Sequence, residues 1–182
     1  MARLRHIAVC VSDLDKAAEF YSKVFEFKRI GREDLDIGSA IYMSDGVINM
    51  ALLNFKGKGG SAASDIKEGQ TFIGAHHFGI QVDDLVETQK RIEEAGGKFF
   101  FDLGSEREGN FERKFKDPEG IVFDISENGW VGTDSRKLSA DHDSNVDETL
   151  VDQKQLKGRI KHFALTVRNL EKQSEFYQKV FG

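Results

Sequence analysis

The sequence predicts an α+β fold built from tandem strand–helix–strand–strand–strand units. Three segments resemble one another, beginning at Arg3, Ala75 and Arg159. In each segment a His stands five residues before a Val, and a Leu follows that Val by three residues. Between residues 13–25 and 169–181, 8 of 13 positions are identical. A repeat of this kind indicates one supersecondary unit used several times.

Each repeat opens with a β-strand and continues with a helix. In the first repeat the odd positions from 7 to 11 are Ile, Val and Val, whereas the even positions hold His6, Ala8 and Cys10. This period of two is typical of a strand. An Asp or Asn then offers a helix N-cap, and apolar residues follow at helical spacing. The stripe of the first helix comprises Leu14, Ala17, Ala18, Tyr21 and Val24.

Three short strands follow each of the first two helices. Gly, Asp and Ser separate these strands, and the only Pro of the chain lies in the turn at residues 117–120. The predicted strands are Phe27–Arg32, Ala40–Met43 and Val47–Phe55 in the first unit, and Lys98–Leu103, Phe111–Lys116 and Ile121–Ser126 in the second.

These elements divide the chain into five parts. The first unit spans residues 1–55 and the second spans 75–126, joined by a Gly/Ser/Lys-rich linker at 56–74. A polar segment at 127–158 is predicted to be a mobile linker. Residues 159–182 form an incomplete third unit with one strand and one helix. Because these two elements cannot bury their apolar faces alone, we expect them to dock on this chain or on a second copy, the latter giving a homodimer.

Composition narrows the class of protein. The 182 residues carry a net charge of -5, which argues against a nucleic-acid or anionic-membrane partner. The single Cys excludes an intrachain disulfide and fits a reducing compartment. The apolar runs are too short to span a bilayer, and the N-terminal segment is interpreted as a strand, not as a signal peptide. We therefore expect a cytoplasmic protein that acts on a small molecule.

Strand alternation places three residues that can ligate a metal on one face of the sheet. His6 and His77 point away from the apolar face that the helices cover. Asp124 points the same way from the predicted strand Ile121–Ser126. A carboxylate among apolar neighbours is costly to bury without a partner or a metal. Two imidazoles and one carboxylate suit Fe(II), Mn(II), Zn(II) or Ni(II). Three protein ligands leave coordination positions open, as in catalytic sites.

The motifs HIAVCVSDLDKAAEFYSKVF, HHFGIQVDDLVETQKRIEEAGG and FKDPEGIVFDI resemble the vicinal-oxygen-chelate superfamily over about residues 3–126. That superfamily includes glyoxalase I, methylmalonyl-CoA epimerase, extradiol dioxygenases and the fosfomycin- and bleomycin-resistance proteins. The resemblance implies a U-shaped mixed sheet around a divalent metal ion. It also implies that His6, His77 and Asp124 are the ligands, with Asp124 where the family usually has Glu.

The resemblance leaves the reaction open. In the stretch GVINMALL of the first unit, glycine spacing puts Met50 at the fourth ligand position, whereas alternation turns Asn49 and Ala51 toward the site. Neither reading supplies a carboxylate. A three-ligand set resembles the extradiol dioxygenases, whose chemistry is slightly favoured. The alternatives are a glyoxalase I-like lyase or methylmalonyl-CoA epimerase-like isomerase, and a metal-free small-molecule binding or resistance protein. No catalytic acid or base is identified.

Several further residues are assigned by their position on the strands. Cys10 and Gln81 share the face of the predicted ligands, and Arg113 is expected to orient an anionic substrate. Packing for Cys10, a solvated or supporting role for Gln81, and an exposed charged strand for Arg113 are the competing interpretations. His76 has the opposite parity to His77 and is expected outside the site, unless the register shifts by one residue. His162 is expected to have no metal role.

Overall fold

A computed structural model describes residues 1–56, 72–104, 111–134 and 158–182. Within these ranges the chain forms eight strands and three helices, in the order that the repeat predicts for the first two units. They are β1 (Arg3–Cys10), α1 (Leu14–Phe25), β2 (Lys28–Leu35), β3 (Gly38–Ser44), β4 (Asn49–Phe55), β5 (Gly74–Gln81), α2 (Leu85–Glu94), β6 (Lys98–Leu103), β7 (Glu112–Lys116), β8 (Val122–Ser126) and α3 (Leu170–Phe181).

Each helix begins at the N-cap that the sequence predicts. The N-cap residues are Asp13, Asp84 and Asn169, and each has an extended backbone conformation. The side chain of each accepts a hydrogen bond from the backbone amide of the third residue after it. These bonds satisfy amides that the first helical turn leaves without a partner. The short polar residue after each first strand therefore sets where the chain changes from strand to helix.

The eight strands form one mixed sheet in the order β2-β3-β4-β1-β5-β8-β7-β6. The first strands of the two units, β1 and β5, pair antiparallel at its centre. Each is also parallel to the fourth strand of its own unit, β4 or β8. The sheet curls into a half-barrel, which confirms the predicted tandem α+β fold. The first and fourth strands of both units, β4, β1, β5 and β8, are neighbours at the centre of the sheet and form the middle of its concave inner face.

The core lies on the outer face of the sheet, beneath the helices. Buried apolar side chains from all three helices meet those of the central strands there, including Leu52, Phe78, Phe123, Ile92 and Val180. None of the helices in the described part of the chain is long and apolar enough to cross a bilayer.

The predicted strand of the third unit is not formed. Residues 158–168 belong to no strand, although α3 is present as predicted. The central strands β1 and β5 are already paired on both sides, so the sheet offers this third copy no equivalent place. The segment instead docks on the outer face of its own chain: Phe176 and Val180 are buried, and Tyr177 Oη donates to Asp117 Oδ2 over 2.9 Å.

The polar linker also differs from its prediction at one end. Residues 127–134 are packed, because Trp130 and Val131 are buried and turns at Gly129 and Gly132 have φ values of 74° and 75°. The Gly132 carbonyl accepts a hydrogen bond from Ser44 Oγ on β3. A mobile linker is therefore wrong for these residues. The rest of that linker, 135–157, and most of the first, 57–71, lie outside the described residues.

Candidate metal centre

Three neighbouring strands bring His6, His77 and Asp124 together on the inner face of the sheet. These side chains are only 2%, 6% and 0% exposed. His6 Nε2 lies 3.2 Å from His77 Nε2, and His77 Nε2 lies 3.3 Å from Asp124 Oδ2. One ligand atom from each residue falls within 4.8 Å of the others. The convergence that strand parity predicts is present.

The separations of these atoms fit ligands of a single divalent ion. Adjacent ligands at ~2.1 Å from an octahedral ion stand about 3.0 Å apart. Asp124 Oδ1 is also a buried oxygen without a hydrogen-bond partner in the described structure. Such an atom calls for a cation or a water. The donor set therefore fits the metal that the resemblance implies.

Asn49 fixes which nitrogen of His6 faces the site. Its amide Nδ2 donates to the Val131 carbonyl over 3.0 Å, so its Oδ1 faces His6 Nδ1 at 2.8 Å. An oxygen acceptor there requires the proton on Nδ1, which leaves the Nε2 lone pair for a metal. Alternation was therefore right for Asn49 and Ala51, whereas Met50 is buried in the core.

His76 lies at the site, contrary to the prediction from its parity. The register of β1 against β5 shifts between Ala8 and Val9, so His76 has no partner in the ladder. Such a β-bulge turns two successive side chains to the same side of a strand. His76 Nδ1 consequently lies 2.7 Å from His77 Nδ1, and His76 lines the cavity.

Lys114 and Glu112 of β7 complete the site, and neither was placed beside the metal ligands from the sequence. Lys114 Nζ lies 2.6 Å from Asp124 Oδ2, 3.1 Å from Glu112 Oε2 and 3.5 Å from His77 Nε2. The turn between β7 and β8 is the sequence feature from which the position of Lys114 can be predicted. Since Asp117 and Ile121 close that turn, counting back along both strands sets residue 114 opposite residue 124, as observed.

Trp130 covers the site from the segment after β8. Its ring stacks on the His6 ring at 5.2 Å between centroids, and its Nε1 donates to Glu112 Oε1 over 2.5 Å. Gly79 makes this packing possible, because a Cβ there would lie 2.5 Å from the Trp130 ring. Trp130 follows Asp124 by six residues but lies beyond the end of β8, so strand alternation does not place it here.

Burial sets the protonation of the site. It lowers the pKa of His6, and together with the Lys114 ammonium it lowers the pKa of His77 well below the ordinary value. Burial also lowers the pKa of Lys114, but the carboxylates of Asp124 and Glu112 outweigh it and the net shift is upward. Near neutral pH the imidazoles are thus neutral, as metal ligands must be.

The structure does not bring the three predicted substrate-binding residues to the ligand cluster. Cys10 is buried at the end of β1, where burial raises its thiol pKa to about 12. Gln81 donates to the Glu127 carbonyl beyond the site. Arg113 lies on the face opposite Lys114, and its guanidinium binds Asp102 and the Gln89 amide oxygen of α2. The packing and supporting interpretations suit the first two residues better.

A cavity of about 90 Å³ opens onto His6, His77 and Lys114. Tyr42 stands at its side and donates to Glu33 Oε2 over 2.6 Å. Most of the other lining side chains are apolar, and they come from strands of both units and from the turn between β2 and β3: Leu35, Ile37, Leu53, Phe55, Phe101, Leu103 and Val122. The site therefore joins a polar, metal-fitting floor to apolar walls.

Two curated plant proteins are similar to this chain. It is 28% identical over 136 residues to a probable chloroplastic lactoylglutathione lyase of Arabidopsis thaliana, and 26% identical over 136 residues to a second lactoylglutathione lyase of that plant. Each match covers 70% of this chain but only 36% or 44% of the relative. The chain thus spans less than half the length of these relatives.

Solved structures share the fold. A methylmalonyl-CoA epimerase in complex with methylmalonyl-CoA matches 69% of this chain and 93% of its own, with a TM-score of 0.52 and 22% identity. The methylmalonyl-CoA epimerase of Mycobacterium tuberculosis matches 67% and 85%, with a TM-score of 0.54 and 16% identity. The model of the Glyoxalase/Bleomycin resistance protein/Dioxygenase superfamily matches residues 3–125. That match covers more than half of the chain, so the chain belongs to this superfamily.

Proposed function

We propose that this protein is a divalent-metal-dependent enzyme that moves a proton on a small substrate with two neighbouring oxygen atoms, as lyases and isomerases do. The observation that carries this proposal is the position of Glu112. Its carboxylate lines the same cavity as His6 and His77, and one ammonium group separates it from Asp124. A base for proton transfer is the group that the sequence did not identify.

The residues of the site divide the work between binding and proton transfer. His6, His77 and Asp124 would hold the ion, which as a Lewis acid would acidify a C–H bond beside the chelated oxygens. Glu112 would accept that proton, while the Trp130 Nε1–H bond to Oε1 fixes the orientation of its carboxylate. The apolar walls would exclude water from this transfer.

The curated relatives support this choice, because both are named lactoylglutathione lyases. Dioxygenase chemistry is the alternative that the ligand count supports, since neither Asn49 nor Ala51 supplies a carboxylate. A metal-free binding protein is supported by a different observation: the Lys114 ammonium already provides Asp124 with a cation at 2.6 Å. One set of measurements separates the three.

The test couples metal binding to isotope exchange. The purified chain is titrated calorimetrically with Zn(II), Ni(II), Mn(II) and, without oxygen, Fe(II). Hemithioacetals, acyl-CoA thioesters and α-hydroxy ketones are then incubated with the loaded protein in D₂O, and loss of the C–H signal is followed by NMR. We expect metal-dependent exchange in at least one class of compound. Oxygen uptake with a catechol and Fe(II) would establish the dioxygenase instead.

Two variants separate binding from proton transfer. Asp124→Ala removes the only anionic ligand, so we expect it to lose both metal binding and exchange. Glu112→Gln at saturating metal should still bind the ion but slow exchange by about 10²–10⁴-fold, the usual contribution of a general base. Full exchange in Glu112→Gln would contradict the role of Glu112. Ligand binding without any metal would favour the binding protein.

A further inference from the structure

Lys114 is a buried cation at the centre of a site that fits another cation. Its side chain is 5% exposed, and its ammonium contacts Asp124, Glu112 and His77. Two of these three contacts are to predicted metal ligands. An ion pair that served only to fasten β7 to β8 would not need to reach a histidine of β5.

The ammonium and a metal ion would compete for one oxygen. Asp124 Oδ2 accepts from Lys114 Nζ over 2.6 Å, and the same oxygen is the one nearest His77 Nε2. An ion bound to that oxygen at ~2.1 Å would lie within about 4.7 Å of Nζ if Lys114 did not move. Two cations at that separation in a buried site repel each other. Binding of the metal at Oδ2 therefore requires Lys114 to leave that oxygen, and an ion on the unpartnered Oδ1 would still be repelled by the ammonium beside it.

A second anion is in place to receive the ammonium. Glu112 Oε2 lies 3.1 Å from Lys114 Nζ, and Glu112 is held by its hydrogen bond from Trp130. Both Glu112 and Lys114 line the cavity, so the ammonium has open space on that side. A small rotation of a flexible side chain exchanges one carboxylate partner for the other without exposing the charge.

We propose that Lys114 is the resident counter-ion of the metal centre: it neutralises Asp124 while no metal is bound and transfers to Glu112 when a divalent ion binds. This proposal rests on the metal site of the proposed function. It makes Lys114 a positioning residue with two consequences. The charge of Asp124 stays neutralised in the metal-free site, which keeps that site stable. The site also binds metal less tightly than the same three ligands would without Lys114.

The experiment measures metal affinity in Lys114→Met and compares it with Lys98→Met, which removes the same charge from the exposed end of the neighbouring strand β6. Zn(II) is titrated calorimetrically into each chain after chelator treatment. We expect Lys114→Met to bind Zn(II) about 10–100-fold more tightly than the wild type, the range by which groups around a metal site change affinity. Lys98→Met should match the wild type.

Thermal unfolding gives a second readout that does not depend on activity. Without metal, Lys114→Met should have a lower melting temperature than the wild type, because Asp124 then lacks its cation. Saturating Zn(II) should restore the melting temperature. If this variant does not fold, Lys114→Gln, whose amide can still donate to Asp124, tests the same point. Glu112→Gln should act in the opposite direction and weaken Zn(II) binding, since Lys114 then has no second carboxylate.

The outcomes distinguish this proposal from the proposed function. Equal Zn(II) affinity in the wild type and Lys114→Met overturns the counter-ion role and leaves the metal enzyme standing. If Lys114→Met binds Zn(II) and the wild type does not, the counter-ion role is supported and a metal-dependent wild type is contradicted. Binding by neither chain overturns both.

Discussion

The amide of Asn49 decides how His6 presents itself to a metal. The chain of bonds from the Val131 carbonyl through Asn49 to His6 Nδ1 leaves one nitrogen of the imidazole available. Asn49→Leu keeps the volume but removes the acceptor, so His6 Nδ1 is left buried without a partner. We expect metal affinity to fall by about 10–100-fold and the free energy of unfolding to fall by about 1–3 kcal/mol.

The matched control for that prediction lies on the same strand. Asn54 is also an asparagine of β4, but its amide donates to the carbonyls of Val11 and Ser12, away from the site. Asn54→Leu should lose stability without changing calorimetric Zn(II) affinity. Unchanged affinity in Asn49→Leu would show that His6 does not depend on this bond.

At the level of single residues, the sequence predicts what strand parity controls. His6, His77 and Asp124 follow from alternation within three strands, and their shared face is a local property of each strand. Lys114 is set opposite Asp124 by the hairpin, so its place beside the ligands could have been derived from the sequence. Trp130 was not accessible, because it reaches His6 through a tertiary contact that follows from no local spacing.

At the level of elements, the β-bulge marks where prediction from alternation ends. Parity assigned His76 outside the site, and one unpaired residue in β5 turned it inward. Bulges depend on how two strands fit each other, which neither strand shows alone. The third unit gives the same lesson, because its strand-like pattern formed no strand where the sheet had no free central position.

Strand β5 and the segment after β8 fit together through Gly79. An added Cβ would lie 2.5 Å from the Trp130 ring and 2.8 Å from His6 Cβ. We expect Gly79→Ala to cost about 1–3 kcal/mol in the free energy of unfolding and to weaken Zn(II) binding by moving His6. Chemical denaturation and calorimetry measure the two effects.

A double-mutant cycle locates the cause of that loss. If the clash with Trp130 is responsible, Trp130→Leu should make Gly79→Ala less costly than it is in the wild type. Additive losses would place the strain elsewhere in β5. Because Trp130 also donates to Glu112, isotope exchange in Trp130→Leu should fall even where metal still binds.

At the level of the whole molecule, the two faces of the sheet have separate tasks. Neighbouring residues of β8 show this division: Phe123 points into the core and contacts Phe176 at 6.1 Å between rings, whereas Asp124 points into the site. The fold class and both complete units were predictable, because each strand carries this alternation. The position at which the third unit docks could not be predicted in the same way, because it depends on the order of all eight strands in the sheet.

The third unit should therefore stabilise the fold without taking part in metal binding. Phe176 and Val180 of α3 are buried against the core, and Asp117 accepts hydrogen bonds from both Gln173 and Tyr177. We expect Phe176→Ala to lower the free energy of unfolding by about 3–5 kcal/mol, while the exposed Lys179→Ala has little effect. Zn(II) affinity should be unchanged in both variants.

Removing residues 135–182 tests the same division on a larger scale, since it keeps the packed segment 127–134 that covers the site. The shortened chain would expose the apolar outer face around Phe78, which Phe163 and Tyr177 cover at 5.6 and 6.0 Å between rings. An exposed patch of this kind favours association. We expect a lower melting temperature and a larger mass by light scattering, with Zn(II) affinity retained. If the shortened chain keeps the oligomeric state and the melting temperature of the full chain, α3 contributes nothing to the fold.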